Sequence, residues 1–273
     1  MEADKRADAA AKHYGRVGPA SDGLEVAAGL VRRARAICVL TGAGISTESG
    51  IPDFRGPDGL WTSNPAAARL SSLAHYLSGP EVRVETWRRR VQQPLSPAEP
   101  NPGHLALVEL ERRGQLELLV TQNIDGLHLR AGTSPERLVE IHGSLREYLC
   151  LKCGRKGPMA EVLERVRHGE ADPACLACGG ILKSAAISFG QKLPTGEVQR
   201  AERAARRCDL FLAVGTSLQV FPVAELPAIA LAEGASLVVV NAEPTPYDRR
   251  AVAVVRGRIG ELLPIMVGGS PPG

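Results

Sequence analysis

No stretch of the 273-residue chain is both long and free of charge, and none reaches the roughly 18 apolar residues that a membrane-crossing helix requires. An excess of one charge is also missing. The net charge of +3 is too small to make a surface for nucleic acid or anionic lipid. The opening Met1-Glu2-Ala3-Asp4-Lys5-Arg6 lacks the apolar core of a secretory signal. No segment repeats at a period of about 20 to 50 residues. What is present is ordinary globular composition, 44% hydrophobic and 23% charged, which argues against disorder over most of the length. The expectation is a soluble cytoplasmic protein with one large domain and smaller appendages, and without direct nucleic-acid or membrane binding. A homo-oligomer is left open.

Four of the six cysteines form two C-x-x-C pairs, Cys150/Cys153 and Cys175/Cys178. The 21 residues between the pairs slightly exceed the roughly 15–20 usual for a zinc ribbon. In a reducing compartment, thiols so spaced hold a metal more often than they form disulfides. Four thiolates leave no open coordination position, so one structural zinc is expected. A thioredoxin-like redox role needs one pair, not two. Cys38 and Cys208 read as small buried hydrophobes.

Along the chain, apolar runs at 37–40, 116–120, 210–214, 237–240 and 252–255 read as buried strands. Helices are expected at 24–35, where Asp22 and Glu25 have capping-box spacing, at 82–90, from Asn101-Pro102 to Arg113, from Thr195 to Arg207, and before Gly234. Strand, polar turn and helix therefore alternate, which implies an α/β fold: a Rossmann-like parallel sheet with helices on both faces. The expected division is a tail at 1–20, a dinucleotide-binding domain at 21–62, 99–147 and 183–267, a proline-punctuated helical insertion at 63–98, a zinc module at 148–182 and a tail at 268–273. Polar motifs at 41–46, 121–125, 215–217 and 241–243 all follow strands. They should converge beyond the carboxyl ends of the sheet, where such folds bind ligands.

Gly42-Ala43-Gly44 suits close approach of backbone to a pyrophosphate. It is not a full G-x-G-x-x-G, since Thr47 holds the third position. No second strand with a ribose-binding acid follows, which disfavours a hydride-transfer dehydrogenase. The stretch from Gly50 through Asp53-Phe54-Arg55 to Trp61 reads as a loop that closes over a ligand. Gln122, Asn123 and Asp125, at a strand end, need hydrogen-bond partners that a sugar or amide would supply. His142 is a candidate general base near neutrality. His104 and His128 read as satisfied packing residues, and His13, His75 and His168 as exposed.

Taken in order, Gly42-Ala43-Gly44-Ile45-Ser46, Gly50-Ile51-Pro52-Asp53-Phe54-Arg55, Thr121-Gln122-Asn123-Ile124-Asp125, His142-Gly143, the cysteine pairs and Gly215-Thr216-Ser217 resemble the sirtuins over residues 24 to 267. Sirtuins are NAD-dependent protein lysine deacylases. The resemblance implies that Ala43, Asp53, Phe54, Arg55, Gln122 and Asn123 line the nicotinamide and ribose pockets, with Ser46, Trp61 and Asp125 among the cofactor contacts. Gly215, Thr216 and Ser217 would meet the phosphates and adenosine ribose. Asn241, Ala242 and Glu243 would meet the adenosine side, and Ile259 the adenine. The segment from Ile187 through Phe189 to Gly190 would be the edge on which an acyl-lysine peptide adds as a strand. His142 would act as general base on the ribose hydroxyls, with Asn123 assisting. The implied products are free lysine, nicotinamide and O-acyl-ADP-ribose.

Three positions depart from family patterns. Thr86 and Arg89 take the places of a Tyr-x-x-Arg pair found where acidic acyl groups are preferred, which favours acetyl. Gln191 replaces a glutamate, and Ser184 a proline. The runner-up readings are a mono-ADP-ribosyltransferase, a deacylase for longer acyl chains, and an NAD- or zinc-dependent interaction protein without turnover.

Overall fold

The computed structural model describes residues 20–53, 71–92 and 98–268. The expected terminal tails, His13 and the loop residues Phe54, Arg55 and Trp61 lie outside the described residues, as do parts of the helical insertion.

In chain order the described elements are α1 (Ala20–Arg33), β1 (Ile37–Thr41), α2 (Leu73–Leu77), α3 (Pro80–Gln92), α4 (Pro102–Arg112), β2 (Leu116–Thr121), α5 (Leu127–Ala131), β3 (Leu138–Glu140), β4 (Glu147–Cys150), β5 (Lys156–Pro158), α6 (Met159–Arg167), β6 (Leu182–Ser184), α7 (Thr195–Arg207), β7 (Leu210–Val214), α8 (Leu226–Ala232), β8 (Ser236–Val240), β9 (Ala253–Val255) and α9 (Ile259–Val267). The first helix begins four residues before the expected start. Asp22 and Glu25 therefore sit inside its first two turns and do not mark its boundary.

Six strands form one parallel sheet in the order β3-β2-β1-β7-β8-β9. Every residue of β1 and β7 is buried, as a sheet covered by helices on both faces requires. Side chains alternate between the two sides. Ile37 and Val39 join one core with residues of α1, α4 and α9, while Cys38 and Leu40 join the other with residues of α7 and α8. Cys38 and Cys208 are both buried in that second core, and burial raises both thiol pKa values, that of Cys208 to about 12.

The register decides where the site lies. Glu140, Thr121, Thr41, Val214, Val240 and Val255, the last residues of the six strands, pair successively across the sheet. The strands end level, so the turns that follow leave from one edge.

A second, antiparallel sheet, β5-β4-β6, lies in the cysteine-bearing segment. The three short strands and α6 gave no signal in the sequence. Its core is Trp87, Cys150, Met159, Val162, Cys175 and Leu182. Trp87 comes from α3, and Tyr76 of α2 donates a 2.5 Å hydrogen bond to the Leu182 carbonyl. Arg83 of α3 also grips Asp172 at 2.7 Å. The described helices of the insertion and the cysteine segment thus share one core.

Candidate active site

Beyond the level strand ends lies a cavity of about 1470 Å³. That exceeds the roughly 300–1,000 Å³ of an ordinary small-molecule pocket and leaves room for a dinucleotide and a peptide side chain together. The turns after five strands, distant in sequence, line it. Gly42, Ala43, Gly44 and Asp53 come from the first turn and its extension, and Gln122, Asn123 and His142 from the turns after β2 and β3. Gly215, Thr216 and Ser217 follow β7, and Asn241, Ala242 and Glu243 follow β8. Ile259 closes one end, and Ile187, Phe189 and Gly190 line another side.

The glycines have a tertiary cause. A Cβ on Gly42 would sit 2.7 Å from the Gly215 carbonyl oxygen, and one on Gly44 would sit 2.8 Å from the Gly215 Cα. Gly215 has φ +61°, and a Cβ there would lie 2.5 Å from the Ile45 nitrogen. Side chains at any of these positions would drive the two turns apart. The Gly44 amide donates to the Gly215 carbonyl at 2.9 Å, and Gln122 Nε2 donates to Thr216 Oγ1 at 2.8 Å. The floor of the cavity is therefore two turns locked together. It is a rigid surface on which a ligand can find its polar partners already placed.

Asn123 is 5% exposed. Its amide hydrogens go to the Gly42 carbonyl at 3.1 Å and Ser46 Oγ at 3.2 Å, so Oδ1 is the side-chain atom left for a ligand. Ser46 and Asp125 do not line the cavity; they stand behind it. Ser46 Oγ donates to Asp125 Oδ2 at 2.8 Å, and Asp125 Oδ1 accepts the Leu127 amide at 2.9 Å. The pair braces Asn123 from below.

His142 Nδ1 lies 3.1 Å from the Gln122 carbonyl oxygen. A carbonyl only accepts, so the proton sits on Nδ1 and Nε2 carries the lone pair. Burial lowers the imidazole pKa from its usual value, partly opposed by that hydrogen bond. The ring on the cavity wall is thus a neutral base with its free nitrogen fixed by a backbone partner.

One support had escaped the sequence reading. Glu48 accepts the Gly260 amide at 2.8 Å and pairs with Arg258 at 3.2 Å, tying the first turn to the start of α9 beside Ile259. No motif flagged it, because its partners lie more than 200 residues away. Phe189 uses both of its backbone groups, donating to Ser71 at 3.1 Å and accepting from Leu73 at 3.0 Å. Its side chain stays 46% exposed.

Thr86 and Arg89 line a separate cavity of about 830 Å³ between α3 and α6. Thr86 bonds back to the Val82 carbonyl at 2.8 Å, and Arg89 pairs with Glu85 on an exposed face. Neither reaches the large cavity.

The four expected metal ligands are gathered. The Sγ atoms of Cys150, Cys153, Cys175 and Cys178 lie within 4.8 Å of one another, with Cys150 to Cys178 at 3.5 Å and Cys153 to Cys175 at 3.8 Å. A tetrahedral ion with bonds of about 2.3 Å places sulfurs about 3.8 Å apart, so the donor set fits zinc. Gly180 completes the fit, since a Cβ there would stand 2.9 Å from Cys150 Sγ. Backbone amides, that of Cys153 foremost, draw the Cys150 thiol down to about 6. Among the described residues no other group of three or more metal-binding side chains converges, and no helix is long and apolar enough to cross a membrane.

Comparison with known proteins agrees with this geometry. Residues 42–222 match the model of the Sir2 family. The NAD-dependent protein deacetylase 2 of Streptomyces coelicolor is 48% identical over 85% of this chain and 97% of its own. A structure described as giving the structural basis for the mechanism and regulation of Sir2 enzymes superposes with a TM-score of 0.79 at 40% identity, covering 90% of this chain and 97% of that one. Sir2 with a p53 peptide and NAD+ gives 0.75 at 34% identity, covering 86% and 93%.

Proposed function

This chain belongs to the Sir2 family, and from that premise we infer how its residues divide the work of an NAD-dependent protein deacylase. The enzyme removes acyl groups, acetyl foremost, from lysine side chains of proteins, releasing nicotinamide and forming O-acyl-ADP-ribose. NAD is a co-substrate that supplies a ribose carbon bearing a good leaving group. The chain's own task is to hold the reactants, exclude water and move one proton.

The observation that carries the assignment is the fixed tautomer of His142. With Nδ1–H spent on the Gln122 carbonyl, Nε2 is the one ring atom able to take a proton from a ribose hydroxyl, which makes His142 the general base. Asn123 presents Oδ1 to the same cavity and orients the reactants. Gly42, Ala43 and Gly44, with Gly215, Thr216 and Ser217, form the bed for the phosphates, and Asn241, Ala242, Glu243 and Ile259 the adenosine end. Asp53 and the adjoining Phe54 and Arg55 are assigned to the nicotinamide and ribose side, with Trp61 a further cofactor contact. Gly190 and the Ile187 carbonyl offer the acyl-lysine peptide its backbone partners, since both backbone groups of Phe189 and the Ile187 amide, which donates to the His142 carbonyl at 2.7 Å, are already engaged. The zinc stiffens the lobe opposite and takes no chemical step.

The lowered His142 pKa keeps the base unprotonated at neutrality, so turnover falls only as pH drops below the ordinary histidine range. His142→Ala should lower kcat by about 10² to 10⁴-fold, followed as nicotinamide and O-acyl-ADP-ribose by mass spectrometry on an acetyl-lysine peptide. Zinc content and circular dichroism should not change. Equal turnover by both proteins would overturn the base assignment.

A further inference from the structure

Beneath the cavity floor lie two histidines that the reaction does not touch. His104, in the first turn of α4, is 0% exposed and His128, in α5, is 2% exposed. Their ring centroids are 4.9 Å apart with the planes tilted by 52°. Burial holds the His104 pKa down at about 4 and that of His128 well below the ordinary value. Both rings are therefore neutral, each with one N–H and one bare nitrogen.

Their partners decide which nitrogen is which. His104 Nδ1 accepts the Asn101 amide at 3.3 Å, so its proton sits on Nε2. His128 Nε2 lies 3.0 Å from Thr41 Oγ1, and that hydroxyl donates its single hydrogen to Thr121 Oγ1 at 2.8 Å. Thr41 must then accept from His128, whose proton is also on Nε2. Two atoms are left over: the Nε2–H of His104 and the bare Nδ1 of His128. These are among the few buried side-chain polar atoms without a partner in the described residues. One is a donor and the other an acceptor, on neighbouring rings. A small ring rotation or one bridging water satisfies both, and an unmade buried hydrogen bond is costly enough to enforce it. Each histidine is thus satisfied at one ring nitrogen by a protein partner and carries the other without one among the described residues.

The chain ends in the active site. Thr121 Oγ1, which accepts the Thr41 hydrogen bond, also accepts one from the backbone amide of Asn123 at 3.1 Å. Hydrogen bonds run in one direction from His128 through Thr41 to Thr121, with His104 stacked behind His128, and meet there the residue whose Oδ1 is left for a ligand. We propose that His104 and His128 are positioning residues for deacylation: as a pair of Nε2–H tautomers they set the direction of the Thr41–Thr121 hydrogen bonds that hold Asn123 in place. Apolar residues of similar size, such as leucine, would fill the same space but leave Thr41 free to turn its hydrogen elsewhere. The inference rests on the deacylase reading of the site.

The first test needs no turnover. In ligand-free protein labelled with ¹⁵N-histidine at pH 7, NMR should show both rings neutral and protonated on Nε2; an Nδ1–H form or an imidazolium at either position overturns the proposal. The second test is kinetic. Thr41→Val, which keeps strand and shape, and His128→Leu should each lower kcat about tenfold, with KM for NAD and for an acetyl-lysine peptide within about twofold and zinc retained. The double variant should be no slower than the slower single one, because both cut one chain. His128→Gln, whose amide can still donate to Thr41, should recover most of the loss relative to His128→Leu. Multiplying effects, or a glutamine no better than leucine, would mark the residues as packing alone. Wild-type protein without deacylase activity would instead sink the functional reading, leaving the NMR result to stand by itself.

Discussion

The parallel-sheet domain and the zinc lobe meet the same demand for a stable core by opposite means. The sheet domain fills both faces of six strands with Val, Leu, Ile and Ala, and residues such as Val39, Phe211 and Val239 have no exposure at all. The hydrophobic core of the lobe has six residues, of which two are themselves metal ligands. A core that small does not repay the entropy of ordering the chain, so the lobe depends on its zinc and on Trp87, borrowed from α3. The difference separates two roles. One region is rigid by packing and can hold polar groups in fixed directions, and the other is rigid by coordination and serves as a wall.

The largest effect should come from removing the metal. Chelation withdraws roughly 10 kcal/mol of folding free energy from a structural zinc site. Amide exchange should then accelerate across β4, β5 and β6, while amides of β1, β7 and β8 stay protected. Parallel loss in both regions would erase the contrast. Phe211→Ala probes the other side: a cavity in the sheet core should cost about 3–5 kcal/mol, read as a lower urea midpoint with zinc content unchanged. If the zinc came off with it, the two cores would be one cooperative unit.

Acid should act on the sheet domain more gently, and its sign follows from the buried side chains. His104 and His128 are neutral in the native state and protonated in the unfolded chain below about pH 6.5. Their stabilisation is complete above that value and is lost as pH falls, for His104 down to its native value of about 4. Glu140 works the other way. Burial and the nearby Glu147 and Asp125 raise its pKa to about 7, so below that pH it favours the native state. Two histidines against one glutamate leave a net loss of stability as pH falls below about 6.5. Urea titrations across that range should show the midpoint falling with pH, and a flat profile would contradict the buried neutral pair.

The part of the site that could be read from sequence is the part made of short local signals. A strand that ends in Gly42-Ala43-Gly44, in Gln122-Asn123 or in Gly215-Thr216-Ser217 declares both its end and its polar cargo. The cysteine pairs declare their ligand by spacing. By contrast, β3, β5 and β6 have three residues each and are too short for any periodicity to emerge. Lys156-Gly157-Pro158 carries a glycine and a proline, which disfavour strands, yet it pairs with Glu147, Tyr148 and Leu149 of β4. Ser46 and Asp125 carried the right motif, and only their hydrogen bonds reveal that they stand behind Asn123 and not in the cavity.

Apolar runs closed by glycines, and thiols at metal-binding intervals, are properties of neighbours along the chain; these alone determined the parallel sheet, the edge where its motifs gather and the zinc. What folding decided depends on groups that meet only in space. Gly42 must be glycine because of Gly215, Thr41 orders its hydrogen because of His128, 87 positions away, and Trp87 belongs to the zinc lobe because α3 lies against α6. A close approach or the direction of a hydrogen bond is a relation between two residues, and it has no trace in either one's local sequence.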